Sequence, residues 1–158
     1  MKTEYINPFI NAVNNALETM AGATPDREKP FIKPDRATHG DVTGLIGFAD
    51  KGISGSVALS FSFNAISKIY EMMMGMPVEK LNDEVEDIVG ELTNIVVGGA
   101  KKDFSEIGFP FHLSIPMVVS GKNHVIKHKH DNPIVVIPYS IENGKFFLEI
   151  SIKVGQSG

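Results

Sequence analysis

The sequence predicts an α+β fold, in which an antiparallel β-sheet carries packed α-helices. Segments with apolar residues at helical spacing are interspersed with segments in which apolar and polar residues alternate, in the order α-ββ-αα-βββ. Short turn signals join strands that are neighbours in the chain, as in antiparallel hairpins. A length of 158 residues with 42% hydrophobic content suits one core. We therefore expect a single domain over residues 1–158, ordered over about residues 3–154.

The first helix is predicted over residues 8–21. Asn7 and Pro8 form a typical helix start. Apolar residues then follow at helical spacing: Phe9, Ile10, Val13, Leu17 and Met20. The proline-containing stretch from Thr24 to Asp41 is predicted to be a connector, with a short edge strand around residues 31–32.

The middle of the chain predicts a hairpin and a short helix. Residues 42–49 and 54–62 are the two strands, and the clean alternation in the second strand indicates one buried face. A helix from about Asn64 to Met74 is expected to stop at Gly75.

A long central helix and further strands complete the pattern. Asp83 as the cap and Glu86 three residues later predict the start of the helix, which runs to about Phe104. The strands expected after it cover residues 111–120, 125–130, 133–139 and 145–154. An Asn-Gly pair at residues 143–144 predicts the hairpin between the last two strands.

A helical wheel of the central helix separates a core stripe from an outer face. The apolar stripe consists of Val85, Ile88, Val89, Leu92, Val96 and Gly99, flanked by Ile95 and Ala100. Glu91 and Asn94 project roughly 110–170° away from its centre. Asp87 and Gly98 share their ridge, and Lys101 lies beside it.

The glycines of this helix call for separate explanations, since each interior glycine costs a helix roughly 0.8–1 kcal/mol relative to alanine. Gly99 lies in the predicted core stripe, where close helix–sheet contact explains it. Gly98 points away from the core, so it would admit a partner. Gly90 is also predicted to point outward, and the sequence assigns it no role.

The spacing Glu-x-x-Asn alone is a weak signal, because an outward pair is usually solvated surface. The chain contains this spacing three times, but only Glu91 and Asn94 lie inside a predicted helix, face outward and neighbour a glycine. Their outward position inside a helix, beside a glycine, is therefore a more specific signal of a functional site than their spacing.

The run ELTNIVVGGA, residues 91–100, resembles the active-site helix of the CheC/CheX/FliY phosphatases of bacterial chemotaxis. The opening INPFINA, residues 6–12, resembles the CheX members, and the similarity covers essentially residues 3–154. CheC members carry a second Glu-x-x-Asn on the first helix. Here Glu18 is followed three residues later by Ala21, so the chain resembles the single-site CheX type.

This resemblance implies that the substrate is the phospho-aspartate of a CheY-like response regulator, which would itself hold Mg²⁺. It implies that Asn94 orients the attacking water and that Glu91 pairs with a lysine in the regulator's active site. Asp87, Gly98 and Lys101 would be partner contacts. The resemblance also implies a homodimer, with no cofactor bound by this chain.

Two other functions fit the sequence. A protein of the same fold could bind a regulator or flagellar component without hydrolysis. A metal site at His124, His128, His130 and Asp131 is the other alternative. Lysines interleaved with these histidines oppose the binding of a cation, so we expect a polar loop or edge strand and no metal.

Composition excludes several further partners and sites. A net charge of −4 argues against general binding to nucleic acid or to an anionic membrane surface. No segment reaches the roughly 20 apolar residues of a membrane span. The N-terminal residues also lack the apolar core of a signal peptide, so we expect a cytoplasmic protein. Without cysteine the chain has no disulfide, thiol nucleophile or cysteine-ligated zinc.

Overall fold

The computed structural model describes residues 3–34, 40–122, 124–126, 128 and 132–155. The helices are α1 (Thr3–Ala21), α2 (Phe63–Met74) and α3 (Asp83–Glu106). The strands are β1 (Asp26–Arg27), β2 (Phe31–Ile32), β3 (Val42–Asp50), β4 (Ile53–Phe61), β5 (His112–Leu113), β6 (Met117–Ser120), β7 (Val135–Ile141) and β8 (Gly144–Val154). The predicted α+β class is confirmed.

One antiparallel sheet organises the described chain. Its strand order is β1-β7-β8-β4-β3-β5, while β2 also pairs with β7 and β6 also pairs with β3. The long strands β3, β4, β7 and β8 lie in the middle, and both edges consist of short strand pieces. Broken edges of this kind leave little continuous strand backbone to which a strand of another chain could pair.

The helices pack on one face of this sheet and enclose the main core. Alternate residues of β4 and β8 point to that face, including Val57, Leu59 and Leu148, all at most 2% exposed. α1 lies along α3, and Phe9 of α1 contacts the ring of Phe104 of α3 with centroids 5.4 Å apart.

The opposite face of the sheet is also buried, contrary to the prediction of one buried face. Ser56, Ser60 and Glu149 point there, yet each is at most 6% exposed. Lys33 contacts Glu149, and His128 of the segment that follows β6 contacts Ser56. Ser60 is hydrogen-bonded to Thr43, which His124 of the same segment contacts. The small serine and alanine side chains of β4 resembled a solvent face in the sequence, but they leave room for this covering segment.

α1 begins earlier than its sequence signals predict. It starts at Thr3 and continues through Pro8, which the prediction placed at the first helical position. Tertiary packing stabilises the extra turn, because Ile6 is buried and Tyr5 stacks on Phe104 with ring planes 9° apart.

The cap of α3 also differs from the prediction by one residue. Asn82, rather than Asp83, is the cap, and its side-chain oxygen accepts a hydrogen bond from the Val85 N–H at 2.9 Å. Glu86 does not complete a capping box, since its carboxylate accepts from the Ser120 hydroxyl at 2.6 Å.

Two strand predictions are wrong in part. Residues 111–120 form two strands rather than one, because the chain leaves the ladder between β5 and β6 around Pro116. The strand expected over residues 125–130 is absent from its described members 125, 126 and 128, apart from an isolated bridge at Val125. The other members of that stretch lie outside the described residues.

Candidate functional site

The position of α3 is set by small residues where the helix meets the sheet. A Cβ added at Gly44 of β3 would overlap the hydroxyl oxygen of Thr93. Thr93 is fully buried and donates this hydroxyl to the Val89 carbonyl at 2.7 Å. Gly90 is buried too, and a Cβ there would lie 3.3 Å from Val118 of β6. The helix therefore lies close against β3 and β6.

These contacts correct two predictions about glycine. Gly90 faces the sheet rather than solvent, and it provides the close helix–sheet contact that was predicted at Gly99. Gly99 is exposed, and a Cβ there would lie 3.3 Å from the Ala12 Cβ of α1. Its small size thus matters for the approach of two helices.

The error arose because the real core stripe is rotated relative to the predicted one. Thr93 and Val97 are buried although the predicted stripe omitted them, while Ile88 and Ile95 are only half-buried. A threonine that satisfies its hydroxyl within its own helix can face the core, whereas a simple polar assignment places it outside.

The outer side of α3 carries the predicted site residues together. We define the outer ridge as Asp87, Glu91, Asn94, Gly98 and Lys101. All are exposed except Lys101, which is half-buried. Glu91 and Asn94 are three residues apart, so they are neighbours on the helix surface with Cβ atoms about 5–6 Å apart. The direction predicted for this ridge is confirmed.

Gly98 forms a gap in the ridge. Apart from its chain neighbours and the nearby backbone of α3 itself, nothing in the described part of the chain lies within 4 Å of where its Cβ would be. A shallow depression adjoins it, lined by Gly98, Lys101, Lys102, Ser105 and Glu106. Another molecule can therefore approach the backbone of α3 at this point.

Glu91 and Asn94 are available to another molecule. Neither side chain forms a hydrogen bond or ion pair with any other residue that the structure describes. The Glu91 carboxylate can accept hydrogen bonds from a cation, while the Asn94 amide can both accept and donate without adding charge. An anchor for a cation and a neutral group for holding water thus lie side by side.

The histidines of the covering segment form internal contacts. His128 contacts the Ser56 hydroxyl at 2.5 Å through Nδ1 and the Glu149 carboxylate at 3.1 Å through Nε2. His124 contacts Thr43 at 2.6 Å through Nε2 and the Gly121 carbonyl at 2.7 Å through Nδ1. These hydrogen bonds occupy both nitrogens of each ring. Neither ring therefore has a nitrogen left to act as a metal ligand.

Two members of the alternative metal site, His130 and Asp131, lie outside the described residues. The described residues contain no cluster of three or more acidic or histidine side chains arranged to hold a metal.

Sequence reasoning missed the ion pair at the centre of this buried network. The Lys33 ammonium lies 2.9 and 3.0 Å from the two carboxylate oxygens of Glu149, and both side chains are at most 1% exposed. Burial alone would raise the pKa of Glu149, but hydrogen bonds from His128 and Lys33 outweigh it and hold the pKa below its ordinary value. A separation of 116 residues gives this pair no local signature.

No helix in the described chain combines the length and the apolar character needed to span a membrane.

Comparisons with known proteins agree with the fold. The family model for chemotaxis phosphatase CheX matches residues 42–140. The CheY-P phosphatase CheX of Thermotoga maritima is 30% identical over 158 residues, which cover 98% of this chain and 99% of that protein.

Solved structures are similar over almost the whole chain. The chemotaxis protein CheX of Vibrio vulnificus is 42% identical, with a TM-score of 0.89 over 96% of this chain and 100% of that one. CheX in a CheX–CheY–BeF3–Mg²⁺ complex from Borrelia burgdorferi has a TM-score of 0.79 over 94% of this chain and 97% of that one. Its identity is 22%, so it shows the shared fold.

Proposed function

The chain belongs to the CheX family of chemotaxis phosphatases, and on that premise we propose that it dephosphorylates the phospho-aspartate of a CheY-like response regulator. The observation that carries this proposal is the outer ridge. It offers an unpaired carboxylate and amide on an exposed helix face beside a glycine gap. The Thermotoga maritima relative acts on phosphorylated CheY, which supports the same class of substrate.

Asn94 is assigned to orienting the attacking water. Its amide oxygen would accept a hydrogen bond from the water and hold it in line with the phosphorus atom. The water oxygen forms a bond to phosphorus as the bond between phosphorus and the aspartate oxygen breaks. The products are a free aspartate carboxylate and inorganic phosphate, which takes up a proton from the water. A neutral amide suits this position because a carboxylate would repel the phosphoryl oxygens.

Glu91 is assigned to anchoring the regulator. Its carboxylate would accept a charge-assisted hydrogen bond from the ammonium group of a lysine in the regulator's active site. The contact would place the phosphoryl group next to Asn94. Asp87 and Lys101 would contact the rim of the regulator, and Gly98 would let its surface come close.

The metal ion of the reaction is proposed to belong to the regulator. In the Borrelia burgdorferi structure, CheX and CheY occur together with Mg²⁺ and with BeF3, a mimic of a phosphoryl group. Mg²⁺ on the regulator would offset the charge of the phosphoryl oxygens.

Phosphate release from a phosphorylated CheY-type regulator tests the catalytic assignment. Asn94→Ala should lower kcat on the order of 100-fold, because the water loses its orientation. Asn94→Asp, which keeps the size but adds charge, should be similarly impaired. Glu91→Ala should mainly raise KM, on the order of tenfold, through loss of a charged hydrogen bond. Asn14→Ala, at an exposed position of α1, is the matched control.

Unchanged release by Asn94→Ala would contradict its role in orienting water. A loss of rate with intact affinity in Glu91→Ala would contradict the anchoring role. Saturable binding by wild-type protein without faster release would instead support the alternative function, a non-catalytic interaction module.

We further propose that the chain forms a homodimer through the edge of the sheet at β5 and β6. Ile115 and Met117 on this edge are 89% and 60% exposed, an unusual solvent exposure for apolar residues beside unpaired strand backbone. Light scattering of the wild-type protein should give the mass of a dimer. Met117→Lys should shift that mass toward a monomer, while Met74→Lys, at another exposed methionine, should not. A monomeric wild type at micromolar concentration would overturn this proposal.

A further inference from the structure

α1 is rich in asparagine on its exposed side. Asn7, Asn11, Asn14 and Asn15 all lie within this helix, and all are exposed. Asparagine is among the poorer helix formers, and it has no helix-capping role inside an element. None of the four side chains hydrogen-bonds to another residue in the described ranges. Their amides are therefore available to another molecule.

Two of these asparagines face a groove between α1 and α3. Asn11 and Asn15 line one wall, and Ile95 and Gly99 of α3 line the other. The groove has a volume of about 470 Å³. Gly99 contributes only backbone to its wall. Asn7 and Asn14 do not line it, although they belong to the same helix.

The groove continues the outer ridge. Glu91, Ile95 and Gly99 follow one another at intervals of four residues, so they form one row along α3. Glu91 lies at the start of this row, and Ile95 and Gly99 are the groove wall. Lys102 and Glu106 belong both to the groove and to the depression beside Gly98. A partner held by Glu91 would therefore extend directly into the groove.

We infer that this groove binds a peptide segment of the same response regulator, adjacent to the segment that contacts Glu91. Asn11 and Asn15 would hydrogen-bond to backbone N–H and C=O groups, since an amide can donate to one and accept from the other. Ile95 and Met20 would contact an apolar side chain of that segment. This inference rests on the proposed function and adds docking residues on a second helix.

Two double variants separate this role from a general effect on α1. Asn11→Ala/Asn15→Ala removes both groove amides, and Asn7→Ala/Asn14→Ala removes two amides outside the groove. Alanine has a high helix propensity, so both variants should fold. Circular dichroism would verify that they do. The groove variant should raise KM for the phosphorylated regulator roughly tenfold at unchanged kcat, as expected for two lost hydrogen bonds. The control variant should match the wild type.

Binding of a beryllofluoride-activated regulator to each variant provides a readout that does not depend on hydrolysis. A roughly tenfold weaker Kd for the groove variant alone supports the inference. Equal Kd and KM values for the groove variant and the control overturn it while leaving the phosphatase proposal intact. A fall in kcat at unchanged KM also overturns it. If the wild type binds the regulator but releases no phosphate, the phosphatase proposal fails. The Kd values then still test whether the groove binds the regulator.

Discussion

Gly98 is the residue of the outer ridge at which stability and the proposed function would make opposite demands. Apart from its chain neighbours and the nearby backbone of α3 itself, no described atom lies within 4 Å of a Cβ built there, so Gly98→Ala should raise the free energy of unfolding by about 0.8–1 kcal/mol. If a regulator approaches this backbone closely, Gly98→Leu should raise KM severalfold while the variant remains folded. Chemical denaturation and phosphate release measure the two effects.

Gly99→Ala is the matched control for the stability effect. Its Cβ would lie 3.3 Å from the Ala12 Cβ, so part of the gain in helix propensity should be offset by tighter packing between α1 and α3. A Gly98→Leu variant with wild-type KM would show that the regulator does not approach Gly98.

At the same scale, the sequence predicts the direction of a side chain better than the depth of its packing. The exposed positions of Glu91 and Asn94 follow from helical periodicity alone, because both lie far from any apolar stripe. The same periodicity placed Gly99 in the core and Gly90 outside, whereas the structure shows the reverse. Whether a glycine faces a sheet or a second helix depends on Val118 and Ala12, which are distant in sequence.

At the scale of elements, helix ends and short strands depend on tertiary contacts. Local signals identified β2 and the hairpin of β7 and β8, since residue type and turn chemistry suffice there. They misplaced the start of α1, because stacking of Tyr5 on Phe104 extends that helix beyond its proline signal.

The segment after β6 illustrates the same dependence. Its described part covers the sheet through the side chains of His124 and His128 rather than by strand pairing. Its burial alternates as in a strand, with His124 half-buried, Val125 exposed and Ile126 buried, although no ladder forms beyond the bridge at Val125. The sequence therefore suggested either a strand or a polar loop at these positions.

The ion pair of Lys33 and Glu149 joins the segment after β2 to the sheet, and it should make stability depend on pH. Because the pKa of Glu149 is lowered in the folded state, its stabilisation is complete above the unfolded value of about 4.3. The stabilisation is then lost as the pH falls through the folded pKa. Denaturation midpoints between pH 7 and pH 3 should show this decline.

Glu149→Gln should lower the free energy of unfolding at pH 7 by about 3–5 kcal/mol, because it leaves the buried Lys33 without its partner charge. The variant should also show a shallower acid dependence than the wild type. Glu28→Gln, which affects an exposed contact of 3.8 Å with Lys145, should change stability little at either pH. Equal acid dependence in the wild type and in Glu149→Gln would refute a role for this carboxylate.

At the scale of the whole molecule, the sheet is shielded on both faces, and the two coverings differ in chemistry. The helix side is an apolar core, whereas the other side combines serine and threonine hydroxyls with a buried charged network. Apolar periodicity identified the first covering in the sequence. The second could not be predicted, because its central pair joins residues 33 and 149 across most of the chain.

If Glu91 and Asn94 carry the proposed function, their placement on a helix has a consequence for the lifetime of the complex with the regulator. Their backbone is fixed within α3 before a partner arrives, whereas ordering a flexible loop would cost roughly 1–2 kcal/mol per residue in conformational entropy. Here mainly the two side chains lose freedom, at about 0.5–1.5 kcal/mol each. A brief encounter with few contacts can then suffice for one turnover. The protein could then release the dephosphorylated regulator rapidly and act on many regulator molecules in succession.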